Sequence, residues 1–277
     1  MRTLPIEPKV LLAAQKVAID AVLRAAALAT TRGRRRGARA PRRKGVGDFV
    51  TAIDLACERL LKKELLAGFP SAGFLGEETA AKALDRDFVW VVDPIDGTSN
   101  FANGLPHWSV AVALMHRGSP VVAAMWCEPE GALYTAIDGF GALRNGKPLP
   151  RATPRWDDGA IAGCQWHRGQ QQLQFLAALQ RDGARIRTFG CTVAQLIDVS
   201  CGRLDANVQQ QGRLWDIAAP GLLLLEAGGH LTDWRGKPVF PLADLDCGHL
   251  PTIGAMPPVH AKIVARLRLH RVVVPTR

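Results

Sequence analysis

An apolar run that ends in a pair of aspartates limits the possible folds of this 277-residue chain more than any other segment. Phe88-Val89-Trp90-Val91-Val92 is β-branched or aromatic throughout, which predicts a buried strand. Asp93-Pro94-Ile95-Asp96-Gly97-Thr98 follows it directly, so that two carboxylates beside the rigid Pro94 can converge on one point. Because carboxylates repel each other, a hard divalent cation is their natural partner. The competing interpretation is a turn whose aspartates cap the next helix.

Three other acidic segments favour the cation site over the capping turn. They are Gly76-Glu77-Glu78, Asp48 to Asp54, and Trp215-Asp216-Ile217-Ala218. In each segment, an acid lies at the end of a predicted helix or strand rather than on a solvated helix face. Taken singly, each acid is better explained as a cap or a surface residue, whereas the whole set is better explained as cation ligands.

The order and spacing of these motifs resemble the inositol monophosphatase family of Mg²⁺-dependent, lithium-sensitive phosphatases. The resemblance extends from about Val10 to Ile263 and rests on the Asp-Pro-Ile-Asp-Gly-Thr and Trp-Asp-x-Ala segments. Three further segments support it: Gly139–Ala142, Asn145–Leu149 and Glu226–Gly229. The sequence pattern mixes strands and helices without regular βαβ alternation, which favours an α+β fold. The resemblance sharpens this to a five-layer αβαβα sandwich and implies a homodimer.

The resemblance also implies two or three Mg²⁺ ions per subunit. Glu77, Asp93 and the backbone carbonyl of Ile95 would hold one ion. Asp93 would bridge to a second ion, completed by Asp96 and Asp216. A third, weaker ion would share Glu77.

The implied catalytic residues are Thr98, Asp54 and Glu77. Asp54 would orient Thr98, which would position the attacking water and help to deprotonate it, while the backbone amides of Gly97 and Thr98 would receive the phosphate. Elementary chemistry agrees, because phosphoryl transfer needs positioning and charge neutralisation more than covalent help. Two cations about 3.5–4 Å apart can activate water and stabilise the leaving oxygen. The helix expected after Asp96 would add free N–H donors for the phosphate.

The residues expected to contact the leaving group depart from the family pattern. In inositol-specific members an acid lies seven residues before the last metal ligand, whereas this chain has Gln209, which is neutral and also donates hydrogen bonds. A polar residue in a surface loop is the alternative interpretation of Gln209. Gly190, Cys191 and Thr192 align with the family's substrate-contacting turn but have altered side chains. Inositol monophosphate is therefore the first candidate substrate, and histidinol phosphate or another sugar or nucleotide phosphate is the alternative.

The net charge of +10 is concentrated between Arg32 and Lys44, where eight residues are basic and none is acidic. Glycines and a proline within this segment predict a mobile loop rather than a helix. Lys44 is the candidate for a substrate-binding lysine that the family carries near its active site. The loop has three possible roles: steering anionic substrates, contacting RNA or a protein partner in a regulatory role, or none. The segment has no aromatic residue for base stacking, which weakens the RNA interpretation.

Composition excludes several other classes of protein. A hydrophobic content of 48% over 277 residues is enough for a substantial core. No run of eighteen apolar residues suggests a membrane span, and the N-terminal residues lack the pattern of a secretory signal. Six scattered cysteines without a Cys-x-x-Cys pair argue against a zinc site and for a reduced, cytoplasmic protein.

The hydrophobic pattern predicts an N-terminal α+β lobe over 1–150 and a C-terminal α/β lobe over 151–277. The first lobe is expected to hold most metal ligands and a largely antiparallel meander with helices on one side. The second is expected to hold the last ligand and the substrate-contacting residues. The predicted helices are Pro8–Ala29, Thr51–Leu66, Gln170–Gln180, Thr192–Cys201, Ile217–Ala227 and Pro258–Leu267. The predicted strands are Phe88–Val92, Ser109–Met115, Val121–Trp126, Ala132–Ala136, Ala160–Gln165, Arg185–Phe189, Asp205–Val208, His230–Asp233 and Thr252–Ala255.

Overall fold

A computed structural model describes residues 6–33, 42–45, 48–153, 159–164 and 170–269 of the chain. Its helices are α1 (Pro8–Gly33), α2 (Ala52–Gly68), α3 (Thr98–Ala102), α4 (Gln170–Arg181), α5 (Thr192–Ser200), α6 (Leu214–Glu226) and α7 (Pro257–Leu269). Its strands are β1 (Arg42–Gly45), β2 (Asp48–Val50), β3 (Gly73–Gly76), β4 (Phe88–Asp96), β5 (Ser109–His116), β6 (Ser119–Cys127), β7 (Ala132–Ile137), β8 (Gly141–Arg144), β9 (Lys147–Pro148), β10 (Ile161–Cys164), β11 (Arg185–Arg187), β12 (Ala206–Gly212), β13 (His230–Thr232) and β14 (Leu250–Ala255).

The first sheet has seven strands in the order β3-β4-β5-β6-β7-β8-β9. Only the β3–β4 pair is parallel, so the prediction of a largely antiparallel meander is confirmed. Trp90 and Val92 belong to the buried cluster that includes α1 and α2, whereas Val89 and Val91 belong to the cluster that includes α5 and α6. Strand β4 itself contacts α2 and α6. Helices therefore cover both faces, and the prediction of helices on one side is wrong. Burial on both faces explains why the run before Asp93 is apolar without alternation.

The second sheet has five strands in the order β11-β10-β12-β14-β13. Strand β10 is parallel to both of its neighbours, whereas β14 is antiparallel to β12 and β13. One face packs on α5 and α6, and the other packs on α4 and α7. The order of layers is therefore helix, sheet, helix, sheet, helix, which confirms the αβαβα sandwich.

The seven-stranded sheet is formed by residues before residue 150 and the five-stranded sheet by residues after it, but the two sheets share a core. Leu75 and Val91 of the first sheet belong to the same buried cluster as Leu222 of α6 and Leu250 of the second sheet. The division into lobes at residue 150 stays a prediction, since the layer between the sheets is formed by residues from both sequence halves.

The ends of the basic segment belong to regular elements, which corrects the expectation of a loop over 32–44. Helix α1 continues to Gly33 because its buried stripe continues through Ala25 and Ala29 at helical spacing. At the other end, Arg42–Gly45 forms β1, which pairs with β2. Residues 34–41 lie outside the described residues.

One further difference from the sequence prediction is strand β3. Gly73–Gly76, for which no strand was predicted, pairs in parallel with β4.

Among the described residues, no helix has the length and apolar composition that a membrane span needs.

Candidate active site

The two aspartates of the first motif lie within a strand rather than in a turn. Strand β4 runs from Phe88 to Asp96, and its pairing with β5 is irregular between Asp93 and Asp96. In a regular strand, residues three apart point to opposite faces. An irregularity of this kind re-aims side chains and is common beside active sites. This irregularity in the pairing therefore allows both carboxylates to approach one point. From the sequence, we had expected the rigid Pro94 to bring them together.

Asp93 lies at the centre of a group of carboxylates. Its side chain is 1% exposed, and its Oδ1 atom is buried without a hydrogen-bond partner. Burial raises the pKa of Asp93 well above its ordinary value, and the negative charges of Glu77, Asp96, Asp216 and Asp54 raise it further. The structure therefore brings Glu77 and Asp216 into electrostatic contact with the motif, although they come from distant parts of the sequence.

The pKa values of Asp96 and Asp216 are raised as well. Burial raises the pKa of Asp96 to about 6, although hydrogen bonds from the Cys191 thiol (3.0 Å) and the Val193 N–H (2.6 Å) to Oδ2 oppose the shift. Burial and the charge of Asp96 raise the pKa of Asp216 to about 7. Asp216 is held in the first turn of α6 by the Arg213 N–H, which donates to its Oδ2 over 2.8 Å.

The donor set suits a hard cation in an open site. Buried carboxylates that raise one another's pKa are costly unless a positive charge compensates them, and the unpartnered Oδ1 of Asp93 is available for such a charge. Within the described ranges, no group of three or more His, Cys, Asp or Glu side chains is arranged so that it could hold a metal ion. Mg²⁺ fits this arrangement because it takes few carboxylates and completes its shell with waters and substrate oxygens.

A hydroxyl and a buried carboxylate lie beside the aspartates. Thr98 Oγ1 is 3.0 Å from Asp54 Oδ1 and 3.0 Å from the carbonyl oxygen of Ile95. Asp54 is 0% exposed and forms a capping box with Thr51 at the start of α2, where the Thr51 N–H donates to its Oδ2 over 3.0 Å. Burial raises the pKa of Asp54, and the hydrogen bonds from Thr51 and Thr98 oppose that shift. The helix start thus fixes the carboxylate that holds the Thr98 hydroxyl.

Gly97 joins the motif to a turn of the second half of the chain. Its φ is +88°, and a Cβ there would lie 2.7 Å from the His107 carbonyl oxygen and 3.2 Å from that of Gly190. A side chain is thus excluded both by conformation and by space. Gly97 precedes the first turn of α3 at Thr98, as the sequence predicted.

Asn100 is a residue of this site that sequence reasoning missed. Its Nδ2 donates to the carbonyl oxygens of His107 (2.8 Å) and Phe189 (2.6 Å). It therefore ties α3 to the turn that carries Gly190 and Cys191. Asn100 lies two residues after the first motif, but only the fold shows which distant carbonyl groups accept its hydrogen bonds.

Gln209 is buried in β12 with an exposed fraction of 1%, so the surface-loop interpretation is wrong. The Thr192 hydroxyl donates to its Oε1 over 2.9 Å, and the indole N–H of Trp234 donates to its backbone carbonyl over 2.9 Å. The structure thus brings together the two predicted substrate-contacting residues Thr192 and Gln209. Cys191, predicted with them, has its thiol on Asp96.

Comparison with known proteins gives a consistent result. A model of the inositol monophosphatase family matches residues 9–267. The chain belongs to this family. The inositol-1-monophosphatase of Rhizobium meliloti is 36% identical over 214 residues, which are 74% of this chain and 80% of the relative. The Nus factor SuhB of Xylella fastidiosa is 34% identical over 194 residues, which are 68% of this chain and 70% of the relative.

Solved structures extend the likeness to the fold. The extragenic suppressor protein suhB of Bartonella henselae superposes with a TM-score of 0.82 at 28% identity, covering 92% of this chain and 98% of its own. An IMPase of Thermotoga maritima superposes with a TM-score of 0.80 at 25% identity, covering 92% of this chain and 97% of its own. Family membership and these relatives support a phosphatase.

Lys44 of this phosphatase stays a prediction. Its backbone lies in β1, and the partner strand β2 contacts α3, the helix that follows the aspartate motif. The hairpin therefore approaches the candidate site, but the position of the Lys44 side chain is outside the described part of the structure.

The raised pKa values of the aspartates predict how stability depends on pH. An acid whose pKa is higher in the folded than in the unfolded state stabilises the fold at low pH, and this contribution is lost as the pH rises through the folded value. In EDTA, Tm is therefore expected to fall as the pH rises from the unfolded pKa of 3.8 to the folded pKa values of about 6 for Asp96 and about 7 for Asp216. Saturating Mg²⁺ should reverse the trend, because a cation competes with protons for the carboxylates. Thermal unfolding as a function of pH, in EDTA and in saturating Mg²⁺, measures this dependence. A Tm that rises with pH in EDTA would contradict the prediction.

Proposed function

We propose that this phosphatase is a Mg²⁺-dependent phosphomonoesterase that hydrolyses a small polyol phosphate, with inositol monophosphate as the first candidate. The observation that carries the proposal is the buried, unpartnered oxygen of Asp93 among the charges of Glu77, Asp96 and Asp216, next to the Thr98 hydroxyl. Relatives named as inositol monophosphatases, at 36% and 34% identity, support the substrate class.

The residues that would hold the cation are those of the acidic group. Glu77, Asp93 and the Ile95 carbonyl would hold one ion, and Asp93, Asp96 and Asp216 a second, with a third at Glu77. When bound, Mg²⁺ supplies charge neutralisation and lowers the pKa of water. Its donor set is made of oxygen atoms, as a hard cation requires.

Side chains and backbone groups of the protein would supply the proton transfer and the phosphate binding. The Thr98 hydroxyl has one proton and two acceptors within 3.0 Å, the Asp54 carboxylate and the Ile95 carbonyl. The hydroxyl can donate to Asp54 Oδ1 while its oxygen accepts a hydrogen bond from the attacking water. As the water attacks, one of its protons would pass to Thr98 Oγ1 while the Thr98 proton passes to the Asp54 carboxylate. The amides of Gly97 and Thr98 at the start of α3 would bind the phosphate oxygens.

Release of inorganic phosphate from inositol 1-phosphate, with Mg²⁺ and with EDTA, tests the proposal. Histidinol phosphate, fructose 1,6-bisphosphate and 3′-phosphoadenosine 5′-phosphate serve as competing substrates. We expect release that needs Mg²⁺, is inhibited by Li⁺ and is fastest with inositol 1-phosphate. Faster turnover of another ester would keep the reaction and replace the substrate, whereas release in EDTA would contradict the mechanism.

Gln209→Glu is expected to change substrate preference without stopping the chemical step. The carboxylate would still accept the Thr192 hydroxyl, but it could also accept a substrate hydroxyl, which the donating amide group cannot. We expect kcat/KM for inositol 1-phosphate to rise relative to the other esters by about 10-fold, the equivalent of one good hydrogen bond. Thr252→Ser on the neighbouring strand β14 is a matched control. Loss of activity on every ester would show instead that Gln209 supports the metal site.

A second function, in RNA or protein binding, is proposed on separate grounds. Several relatives at 34% identity are named Nus factor SuhB, and the segment from Arg32 to Lys44 concentrates eight positive charges. Replacing Arg34, Arg35, Arg36 and Arg39 with serine should reduce binding of a single-stranded RNA at low salt while phosphate release is unchanged. No RNA binding by the parent protein would exclude the RNA-binding role.

We also propose a homodimer, as the family resemblance implies. Light scattering during size-exclusion chromatography would give a mass of about twice the 29.9 kDa of one chain. A mass of one chain at micromolar concentration would contradict it.

A further inference from the structure

We propose that Glu58 is a positioning residue that holds the Glu77 segment in place for cation binding, an inference that rests on the proposed function. Glu58 lies on α2 and is 0% exposed. It is not one of the proposed metal ligands, catalytic residues or substrate-contacting residues. Its position links the helix that carries Asp54 to the strand end that carries Glu77.

The contact is a hydrogen bond to the backbone beside the predicted ligand. The N–H of Glu78 donates to Glu58 Oε2 over 2.7 Å. Glu77 is the preceding residue, so this bond fixes the peptide unit that joins Glu77 to Glu78. The orientation of the Glu77 side chain is therefore coupled to the Glu58 carboxylate.

Helix α2 supports two loops of the site in the same way. Asp54 and Glu58 are one helical turn apart, and both side chains are 0% exposed. Asp54 accepts the Thr98 hydroxyl at the end of the first motif, and Glu58 accepts the N–H of Glu78, the residue after Glu77. Two like charges at this spacing destabilise a helix, so their joint burial is more readily explained by a shared role than by stability.

The second oxygen of Glu58 strengthens this conclusion. Glu58 Oε1 is buried and has no hydrogen-bond partner. Buried carboxylates are normally paired or lie beside a cation. A purely structural tether for one N–H would not need a carboxylate, whereas a residue that supports a cation ligand gains from the negative charge.

Gly76 leaves the space that the carboxylate occupies. A Cβ on Gly76 would lie 2.5 Å from Glu58 Cδ and 2.6–2.7 Å from its two oxygens. The last residue of β3 is thus packed against the Glu58 carboxylate. Gly76→Ala should displace the carboxylate without removing any of its atoms.

Mn²⁺ binding in the absence of substrate, followed by the electron paramagnetic resonance signal of free Mn²⁺, tests the inference without relying on turnover. Glu58→Ala should weaken binding about 10–100-fold, as is typical for loss of a group that supports a ligand. Glu58→Gln should bind Mn²⁺ more tightly than Glu58→Ala, since its amide oxygen still accepts the Glu78 N–H, but more weakly than the parent, since the negative charge is lost. Gly76→Ala should also weaken binding, and the double variant Glu58→Ala/Gly76→Ala should be no weaker than Glu58→Ala alone.

The controls separate positioning from folding. Glu64→Gln and Glu64→Ala change a carboxylate on the same helix that pairs with Arg24 and should bind Mn²⁺ like the parent. Thermal unfolding in EDTA shows whether each variant is folded, and at saturating Mg²⁺ the kcat of Glu58→Ala should return towards the parent value.

Each outcome decides between the two proposals. Parent-like Mn²⁺ binding by folded Glu58→Ala overturns the inference and leaves the proposed function intact. If Glu58→Ala does not fold, parent-like binding by Gly76→Ala overturns it instead. A parent protein that binds no Mn²⁺ overturns the proposed function, and the inference with it.

Discussion

Asp96→Asn is expected to abolish phosphate release. Asparagine has the same shape, and its Oδ1 can still accept the Val193 N–H and the Cys191 thiol that now bond to Asp96 Oδ2. The substitution therefore removes charge from the proposed cation site with little change in packing. We expect kcat to fall by more than the approximately 10–100-fold cost of losing a group that only supports a ligand.

The measurement is phosphate release over a range of Mg²⁺ concentrations. Asp20→Asn is the control, because Asp20 lies on α1 in an exposed pair with Lys16 and should leave kcat unchanged. The Tm of Asp96→Asn in EDTA should equal or exceed that of the parent, since one repulsive buried charge is gone. Near-normal turnover at saturating Mg²⁺ is the result that would remove Asp96 from the ligand set.

Thr98→Val is expected to lower kcat by about 10²–10⁴-fold, the range for losing a positioned proton-transfer group. Valine keeps the branched shape but cannot accept a proton from water or donate to Asp54. It also leaves Asp54 Oδ1 without the hydroxyl that lies 3.0 Å away. An unsatisfied buried acceptor costs about 1–3 kcal/mol, so a moderate fall in Tm should accompany the loss of activity.

Three comparisons make the Thr98 result specific. Thr98→Ser keeps the hydroxyl and should retain most of the activity. Mn²⁺ binding by Thr98→Val should match that of the parent, which separates loss of the hydroxyl from loss of the cation. Thr98→Val/Asp54→Asn should be no slower than Thr98→Val alone, because residues that act as a unit are not additive. Fully additive losses would show that Thr98 and Asp54 act separately.

The sequence predicted the elements that are long and strongly patterned. The apolar run before Asp93 and the helical spacing of α2 are signals that local sequence carries in full. Strand β3 was missed because its four residues, Gly73–Gly76, have no length or pattern to distinguish them from a loop. Its place is fixed by parallel pairing with β4, which is a tertiary contact.

The candidate site was predictable in its residue types and less so in its geometry. The acids that interact with Asp93 were all named from their motifs, because ligand chemistry limits the residues that can serve. The irregular pairing that aims Asp93 and Asp96 was not foreseen, since it depends on the register with β5. Asn100 and Glu58 were missed for a related reason, because their partners are backbone groups, which have no signature in the sequence.

Because α5 and α6 form a buried layer between the two sheets, turnover should depend on correct packing of both halves of the chain. Asp54 and Asp93 precede residue 150, while Cys191 and Asp216 follow it, and Leu75 and Leu222 share the core that joins these parts. Cutting the chain near residue 150 would therefore give fragments that are each inert and that regain activity only by complementation. Heat inactivation should accordingly coincide with loss of the inter-sheet layer, even when the helices on the outer faces persist.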